Sequence, residues 1–437
     1  MEIGREAVII ANVYSTKFPD LERNMVINMN YRWKKNTAIF MSSQAISLLG
    51  SSLVQFAITS YITVQTKSGV YATIAILCAI LPVFLLSPFA GVWADRYNRK
   101  ILIIIADSSI AACTLLVAIA FLLGYESIEL LFAALIIRAL GSAVQSPCVG
   151  ALLPDIVPED KLTRVNGING SIQSLFMLAS PVLGALLLSL VPLGKIFFID
   201  IITAVIAIII LLTAFHLPKK EKSAEEMASG NYFSEMKQGF RYIIKSRFLI
   251  EFFGFCMIYF IMMAPAAFLT QVQVVRNYGE DYWYLSAIEV AFSLGMLAGG
   301  IIITIWGGMK NKVNTMMLAV LIMSLCTFGL GIRMPFLPYV ILMFLFGTAL
   351  PFLNTPAMTM LQERVDAKYM GRVFGIMTMI NTSMMPLGMI IFGPIADVVA
   401  IEILLIITGV VMFLLGLCMT RAKELMKAGA AGPYIVD

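Results

Sequence analysis

Charged side chains are scarce in this chain. Asp, Glu, Lys and Arg make up only 13% of its 437 residues, whereas 60% of the residues are hydrophobic. Soluble domains carry about 25% charged residues, so this balance excludes a water-soluble fold. The formal net charge of +5 does not indicate a nucleic-acid partner, because the basic residues fall almost entirely in short segments between apolar runs.

Residues suited to metal, redox or nucleotide chemistry are equally scarce. The single histidine, His216, ends an apolar run, and the six cysteines lie within apolar runs without any C-x-x-C spacing. These patterns argue against a disulfide framework, a metal cluster and a histidine-based catalytic site. The nucleotide-binding pattern G-x-x-x-x-G-K-[ST] does not occur, so ATP is not expected to supply energy. We therefore expect no enzyme activity and no metal or cofactor.

Long apolar runs are what the sequence has in abundance, and each is close to the ~20 residues that a membrane-spanning helix needs. The twelve runs cover about 37–61, 70–92, 101–123, 128–152, 166–190, 196–215, 249–270, 284–306, 314–332, 337–360, 372–396 and 399–420. The sequence therefore predicts an all-α membrane protein with twelve transmembrane helices.

The basic residues predict how these helices are oriented. With both termini on the same side, 26 of the 31 Lys and Arg residues fall on that side, and Lys67, Lys195, Arg276 and Arg333 fall on the other. Cytoplasmic loops of membrane proteins are enriched in Lys and Arg. We therefore expect a multi-pass protein of the plasma membrane with cytoplasmic N- and C-termini.

The spans divide into two halves that repeat each other. Arg164-Val-Asn-Gly167 corresponds to Arg372-Val-Phe-Gly375, and a polar segment separates the two halves. Internal repeats of this kind are typical of transporters whose binding site lies near the membrane midplane. The predicted units are a cytoplasmic segment (1–36), a six-helix bundle (37–215), a cytoplasmic linker (216–248) with an amphipathic piece (Phe233–Arg247), a second six-helix bundle (249–420) and a cytoplasmic tail (421–437).

The loop between the second and third runs reads Gly91-Val-Trp-Ala-Asp-Arg-Tyr-Asn-Arg-Lys100. This pattern resembles the loop between helices 2 and 3 of major facilitator superfamily (MFS) transporters. The resemblance implies two pseudo-symmetric six-helix bundles and a conformational latch between them that closes when the transporter faces outward. The latch residues would be Gly91, Asp95, Arg96, Arg99 and Lys100. A plain basic turn that only sets topology is the alternative.

Elementary physics suggests how that loop would act. Asp95 could accept hydrogen bonds at the N-terminus of the eleventh helix, near Gly371 and Arg372, because a helix N-terminus favours an anion. The basic residues Arg96, Arg99 and Lys100 could pair with Asp155 or Glu159 of the next loop on the same side.

Charged residues inside spans usually have a function. Arg138-Ala-Leu-Gly141 resembles the R-x-x-G core of the fourth-helix motif in proton-coupled MFS members, and Asp107 of the antiparallel third span lies within reach of Arg138. We interpret Asp107 and Arg138 as a proton-linked pair, with a structural ion pair as the alternative. Glu289 has no cation within a helical turn and is a candidate proton carrier or counter-charge, unless it extends to the membrane surface. Asp200 is expected to be interfacial.

The fifth span partly matches the antiporter signature G-x-x-x-G-P-x-x-G-G. Pro181 and Gly184 fit the signature, whereas Phe176, Ser180 and Ala185 replace its other glycines. We interpret Pro181 and Gly184 as a functional kink, with a kink for packing alone as the alternative.

Polar and aromatic residues of the central spans could line a substrate cavity with apolar walls and few polar groups. The candidates are Gln44, Gln55, Phe56, Asn169, Gln173, Phe176, Phe252, Tyr259, Asn354 and Asn381. The alternative for most aromatic residues is contact with lipid or packing.

Four segments together look like the macrolide-efflux branch of the superfamily. They begin at Ser43, Arg138, Phe292 and Gly371. This resemblance implies a monomeric drug:proton antiporter that exports small amphipathic, macrolide-like molecules through the lipid bilayer, with the proton gradient as its energy source. Three alternatives are an exporter of an endogenous siderophore or peptide, an importer, and a membrane sensor or scaffold that transports nothing.

Overall fold

A computed structural model describes residues 19–158, 161–215 and 240–430, which contain helices and no strands. Twelve helices of this part of the chain are long and apolar enough to cross a membrane, which confirms the predicted number. They are α1 (Pro19–Thr66), α2 (Gly69–Arg96), α3 (Arg99–Leu122), α4 (Ile128–Ile156), α5 (Leu162–Leu190), α6 (Leu193–Thr213), α7 (Arg247–Ala264 and Thr270–Tyr278), α8 (Tyr282–Trp306), α9 (Lys312–Leu330), α10 (Phe336–Arg364), α11 (Ala367–Val398) and α12 (Ile401–Met419).

The seventh span is longer than its apolar run predicted. Its two α-helical parts are joined by a π-helical turn, Pro265–Leu269, and the helix continues beyond residue 270 to Tyr278. Hydropathy falls in this last part because of its glutamines, but the bundle satisfies them. Gln273 donates from Nε2 to the Leu330 carbonyl (2.9 Å) and accepts from the Tyr339 hydroxyl (2.9 Å).

Polar side chains fix where several helices begin. Ser68, Ser127 and Asn311 precede α2, α4 and α9, and each side-chain oxygen accepts from a backbone N–H in the first turn of its helix. Such caps satisfy N–H groups that have no partner within the helix. Short loops with a capping residue therefore set the helix boundaries.

The helices form two halves with the same internal arrangement. In the first half, α2 packs on α4, α3 on α4 and α6, and α1 on α5 and α6. The second half repeats this pattern, with α8 on α10, α9 on α10 and α12, and α7 on α11 and α12. The halves meet where α2 packs on α11 and α5 packs on α8. This is the predicted pair of pseudo-symmetric bundles.

Each half has an apolar core made mainly of its own residues, although Val64 and Ala72 of the first half join the cluster of the second. Val54, Val117 and Phe197 belong to one cluster of the first half, and Phe40 and Leu152 belong to a second. Most of the second half forms one large cluster around residues such as Tyr259, Met323 and Tyr339. Because most buried contacts are made within a half, the contacts between the halves can change without opening either core.

The bundle has two faces, which we name by their loops. The basic face carries the loops after α2, α4, α8 and α10, and the far face carries the loops after α1, α3, α5, α7, α9 and α11. A short helix, α13 (Lys423–Gly429), lies on the basic face. Its carbonyls accept from Asn311 and Arg364, and the Leu425 N–H donates to the Glu251 carboxylate (2.9 Å).

Several predicted features lie outside the described residues. They are residues 1–18 of the N-terminal segment, residues 216–239 of the linker, Glu159, residues 431–437 of the tail and the side chain of Asp95. The described end of the amphipathic piece is helical over 240–245. Of its apolar residues, Ile243 is buried, whereas Phe240 and Ile244 are exposed.

Candidate functional site

Two cavities lie in the centre of the bundle. One, of about 340 Å³, is lined by residues of α1 to α4 that include Gln55 and Arg138. The other, of about 230 Å³, lies between α2, α7 and α11 and is lined by Asn381. Ala79 of α2 contributes to both cavities. The second cavity has mostly apolar walls, as in small-molecule sites, whereas the first also has polar side chains from Ser51, Ser52, Gln55, Arg138 and Ser142. Two predicted cavity residues, Gln55 and Asn381, lie there.

Other predicted cavity residues do not line these two cavities. Phe252 and Tyr259 are only 1% exposed in the core of the second half, and the Tyr259 hydroxyl donates to the Met323 sulfur (2.9 Å). Placing them in the cavity was wrong, because hydrophobicity does not tell which face of a helix meets the core. Gln44, Asn169 and Phe176 are half-buried elsewhere, and Gln173 and Asn354 are exposed.

The predicted partner of Arg138 was also wrong. Arg138 forms an ion pair with Asp200 of α6 through Nη1 and Oδ2, and both side chains are buried. The Thr114 hydroxyl bridges the pair, because it accepts from Arg138 (3.1 Å) and donates to Asp200 (3.1 Å). Ser51 donates to Asp200 and its carbonyl accepts from Arg138. Asp200, expected to be interfacial, is thus part of a buried network.

Asp107 lies apart from this ion pair. Its Oδ1 accepts from the Ser47 hydroxyl (3.2 Å) and from Nε2 of Gln145 (2.7 Å), and its buried Oδ2 has no hydrogen-bond partner among the described residues. Asp107 lies one helical turn from Ile110, which lines the first cavity. The first half thus holds a buried carboxyl that has no cation partner among the described residues.

Glu289 has a similar environment in the second half. Its Oε1 accepts from Nε2 of Gln271 (2.7 Å), and it forms no ion pair within the described part of the chain. Gln271 lies three residues after Phe268, which lines the second cavity. Each half therefore contains one carboxyl within the spans that accepts a hydrogen bond from a glutamine.

One of the two predicted kink residues, Gly184, lies in a packing contact. A methyl group built on Gly184 would lie 2.5 Å from the ring of Phe56, so the ring occupies the space that the glycine leaves. Phe56 is therefore part of the α1–α5 contact. Pro181 lies inside α5, which continues from Leu162 to Leu190. This contact favours the packing interpretation of Gly184.

Two basic residues of the Gly91–Lys100 segment, Arg99 and Lys100, contact residues of their own half. Arg99 pairs with Asp155, one of the two expected carboxylates, and also donates to the carbonyls of Ala94 (2.9 Å) and Ala151 (3.0 Å). Lys100 donates to the Phe215 carbonyl (2.8 Å), a partner that its charge alone did not indicate. Arg96 is exposed, and a methyl group built on Gly91 would meet no described atom within 4 Å.

A polar cluster on the far face joins the two halves, and the sequence reasoning missed it. Asp397 at the end of α11 accepts from Ser68 (2.5 Å), from the backbone N–H groups of Gly69 (2.6 Å) and Val70 (3.1 Å), and from Arg276 (2.7 Å). Lys67 forms an ion pair with Glu280 beside this cluster. The available signal was Gly393-Pro-Ile-Ala-Asp397, which repeats the G-x-x-A-D pattern of Gly91–Asp95.

Comparison with known proteins agrees with this architecture. The sequence profile of the Major Facilitator Superfamily matches residues 40–389. The chain belongs to the Major Facilitator Superfamily. It is therefore a multi-pass membrane transporter, and the resemblance to the macrolide-efflux branch is confirmed by relatives of that name.

Two macrolide efflux proteins match most of the chain, and a third relative matches a shorter part of it. Macrolide efflux protein A of Streptococcus pyogenes is 28% identical over 398 residues, which cover 90% of this chain and 98% of the relative. Macrolide efflux protein A of Enterococcus faecalis is 29% identical over 316 residues, which cover 72% of this chain and 97% of the relative. The Staphyloferrin A transporter of Staphylococcus aureus is 28% identical over 134 residues, which cover only 30% of this chain and 33% of the relative.

Solved MFS structures share the fold. The nucleoside transporter NupG aligns with a TM-score of 0.65 at 17% identity and covers 87% of this chain and 98% of that chain. The D-xylose-proton symporter aligns with a TM-score of 0.65 at 13% identity, and the alignment covers 90% of this chain and 100% of the symporter. Likeness at these identities extends to the fold alone.

Proposed function

We propose that this MFS transporter is a secondary active exporter of lipophilic, macrolide-like molecules, driven by proton antiport. The basic face would be cytoplasmic, and the protein would act as a monomer in the plasma membrane without a cofactor. Rocking of the two halves would expose the central cavities to one side at a time. Similarity to two macrolide efflux proteins over most of the chain supports the substrate class.

The observation that carries the proton proposal is the pair of carboxyl–glutamine contacts, Asp107 with Gln145 and Glu289 with Gln271. An ionised carboxylate in apolar surroundings is costly unless it is paired. Neither of these carboxyls has a cation partner within the described residues, so each can change its charge without leaving a cation unpaired.

Glutamine is a suitable partner for a group that gains and loses a proton. Its amide N–H donates to an ionised carboxylate, and its carbonyl accepts from a protonated one. An arginine partner would favour only the ionised form. Arg138 already has such an ionised partner in Asp200, so we assign Arg138 to holding α4 and α6 together and not to releasing the proton from Asp107.

The test is transport of a labelled macrolide by energised cells that produce the protein. We expect lower accumulation in producing cells than in cells without it, and an uncoupler should abolish the difference. Asp107→Asn and Glu289→Gln keep the shape of each side chain but cannot exchange a proton, so each should reduce proton-driven export by at least about tenfold.

The matched control is Asp281→Asn on the far face, where the carboxylate caps only its own helix, α8. This variant should export normally, since asparagine is an equally good cap. Normal export by both Asp107→Asn and Glu289→Gln would contradict the proton assignment. Export that resists the uncoupler would contradict proton antiport itself.

Export of an endogenous siderophore is the second candidate. The partial similarity to the Staphyloferrin A transporter supports it. The same energised cells, assayed with a labelled macrolide and with labelled staphyloferrin A, would distinguish the two candidates, because the protein lowers the accumulation only of the compound that it exports.

A further inference from the structure

The far-face cluster has the geometry of a latch. The carboxylate of Asp397 accepts from two backbone N–H groups, one hydroxyl and one guanidinium group, at distances from 2.5 to 3.1 Å. Gly69 and Val70 are the first two residues of α2, so an anion from the second half lies on the N-terminus of a helix of the first half. Charge-assisted bonds at a helix N-terminus are among the stronger polar contacts.

Arg276 ties three segments together at the same point. Besides Asp397, it donates to the carbonyl of Lys67 (2.8 Å) before α2 and to the carbonyl of Ala396 (2.7 Å) in α11. The guanidinium group therefore fixes the end of α11 and the loop before α2 relative to α7. Of these contacts, only the one with the Lys67 carbonyl joins the two halves, so this hydrogen bond requires the halves to be close on this face.

Glycine allows the two helices to touch here. A methyl group built on Gly393 would overlap the Thr73 hydroxyl, and one built on Gly69 would overlap the Gly393 carbonyl. Small residues permit such close approach of helix backbones. The Thr73 hydroxyl also donates to the Met389 carbonyl across the contact (3.2 Å).

The opposite ends of the same two helices are not packed in this way. Methyl groups built on Gly91 at the end of α2, and on Gly371 and Gly375 at the start of α11, would meet no described atom within 4 Å. The pattern G-x-x-A-D occurs at both places, one residue before the end of α2 and one residue before the end of α11. The two copies therefore lie at the C-terminal ends of two helices that pack on each other, and Asp397 contacts the N-terminus of α2.

We propose that Gly393–Asp397, at the end of α11, is a second latch, which holds the far face closed as Gly91–Asp95, at the end of α2, would hold the basic face closed. The two latches act on the two ends of one helix pair, so forming one requires releasing the other. The structure is the state with the far latch formed. This proposal rests on the alternating access of the proposed function, but on neither its substrate nor its coupling ion.

The test measures the openness of the far face without substrate. Ala79 lines both cavities, and Ala79→Cys in a chain whose six native cysteines are replaced would report access to them. A membrane-impermeant thiol reagent is added to intact cells, and its reaction rate with this cysteine is measured. Tyr125→Cys, at an exposed position on the far face, establishes that the reagent reaches this face.

We expect Asp397→Asn to raise the labelling rate of the Ala79→Cys reporter about tenfold, because it weakens the contacts of an ionised carboxylate. Arg276→Gln leaves the contacts of Asp397 with α2 intact, so it should raise the labelling rate less than Asp397→Asn does. Asp95→Asn should lower the rate, because it weakens the opposite latch. The variant with both Asp95→Asn and Asp397→Asn should return towards the starting rate.

Asp281→Asn is the matched control, because its carboxylate caps α8 on the same face without joining the halves. The second latch would be overturned if Asp397→Asn and Arg276→Gln both left the labelling rate of the Ala79→Cys reporter equal to that in this control. A higher rate for Asp95→Asn would overturn the opposition of the two latches. If the protein does not transport macrolides, the labelling rates still test the second latch and its opposition to the first, because the labelling uses no substrate.

Discussion

Arg138 shows how a buried charge selects its partner at the residue scale. Two acidic residues of the first half, Asp107 and Asp200, lie near this arginine in the fold, and only Asp200 contacts it. The sequence indicates that a buried arginine needs a carboxylate. Which carboxylate it finds depends on the packing of α6 against α3, and α6 is more than fifty residues away along the chain.

A double-mutant cycle tests this pairing. Removing one member of a buried ion pair leaves an uncompensated charge, at a cost of about 3–5 kcal/mol. We expect Arg138→Gln and Asp200→Asn each to lower the unfolding temperature of the purified protein, and the double variant to lose much less than the sum. The combination of Arg138→Gln with Asp107→Asn should be close to additive. Coupling to Asp107 in place of Asp200 would disprove the observed pairing.

Gly184 provides a second residue-scale prediction. Its missing side chain is filled by the ring of Phe56, so Gly184→Ala should destabilise the protein by about 1–3 kcal/mol through overpacking. Phe56→Leu should restore most of this loss in the Gly184→Ala background, because it removes the opposing ring. Thermal unfolding measures both effects. A Gly184→Ala protein as stable as the parent would mean that α1 and α5 can separate freely at this point.

At the element scale, the packing of α8 on α10 explains the glycines Gly295 and Gly299. They belong to the segment beginning at Phe292 that resembles the macrolide-efflux branch. Methyl groups built on Gly295 and Gly299 would overlap the carbonyl oxygens of Phe344 and Thr348, and one on Gly347 would overlap that of Phe292. Small residues four apart allow this backbone contact. Gly300 is next in the sequence, but it faces open space.

This difference between neighbouring glycines is testable. We expect Gly295→Ala and Gly299→Ala to reduce the yield of folded protein and its unfolding temperature, because the opposing atoms are backbone and cannot move aside. Gly300→Ala should behave like the parent chain, since its new methyl group meets nothing. Size-exclusion chromatography and thermal unfolding measure these effects. Equal behaviour of all three variants would contradict the observed register of α8 on α10.

Element boundaries were less accessible to sequence reasoning than the elements themselves. The apolar runs identify all twelve spans, because every backbone group in hydrocarbon must be paired within a helix. The run of the seventh span ends before Gln271 and Gln273, whereas the helix continues past them. A hydropathy scale counts every glutamine as unfavourable in a membrane. It contains no information on the hydrogen bonds that Gln273 makes with Leu330 and Tyr339 inside the bundle.

At the scale of the whole molecule, the asymmetric charge of the two faces predicts the orientation in the membrane. We expect Tyr125→Cys on the far face to react with an impermeant thiol reagent in intact cells. Lys310→Cys, also exposed but on the basic face, should react only after the cells are permeabilised. Both measurements use the chain with its native cysteines replaced. Labelling of Lys310→Cys in intact cells would reverse the proposed orientation.

The sequence by itself determined the helical membrane fold, the number of spans and the division into two repeating halves. Hydrocarbon requires a helix wherever a long apolar run crosses it, whatever the detailed packing, and the two halves follow from the internal repeat and the polar linker between them. Only the tertiary structure decided that Arg138 pairs with Asp200, that each isolated carboxyl is held by a glutamine, and that Asp397 joins the two halves. These contacts unite helices distant in the chain, so they depend on helix rotation and close approach, which hydropathy and charge counts do not contain.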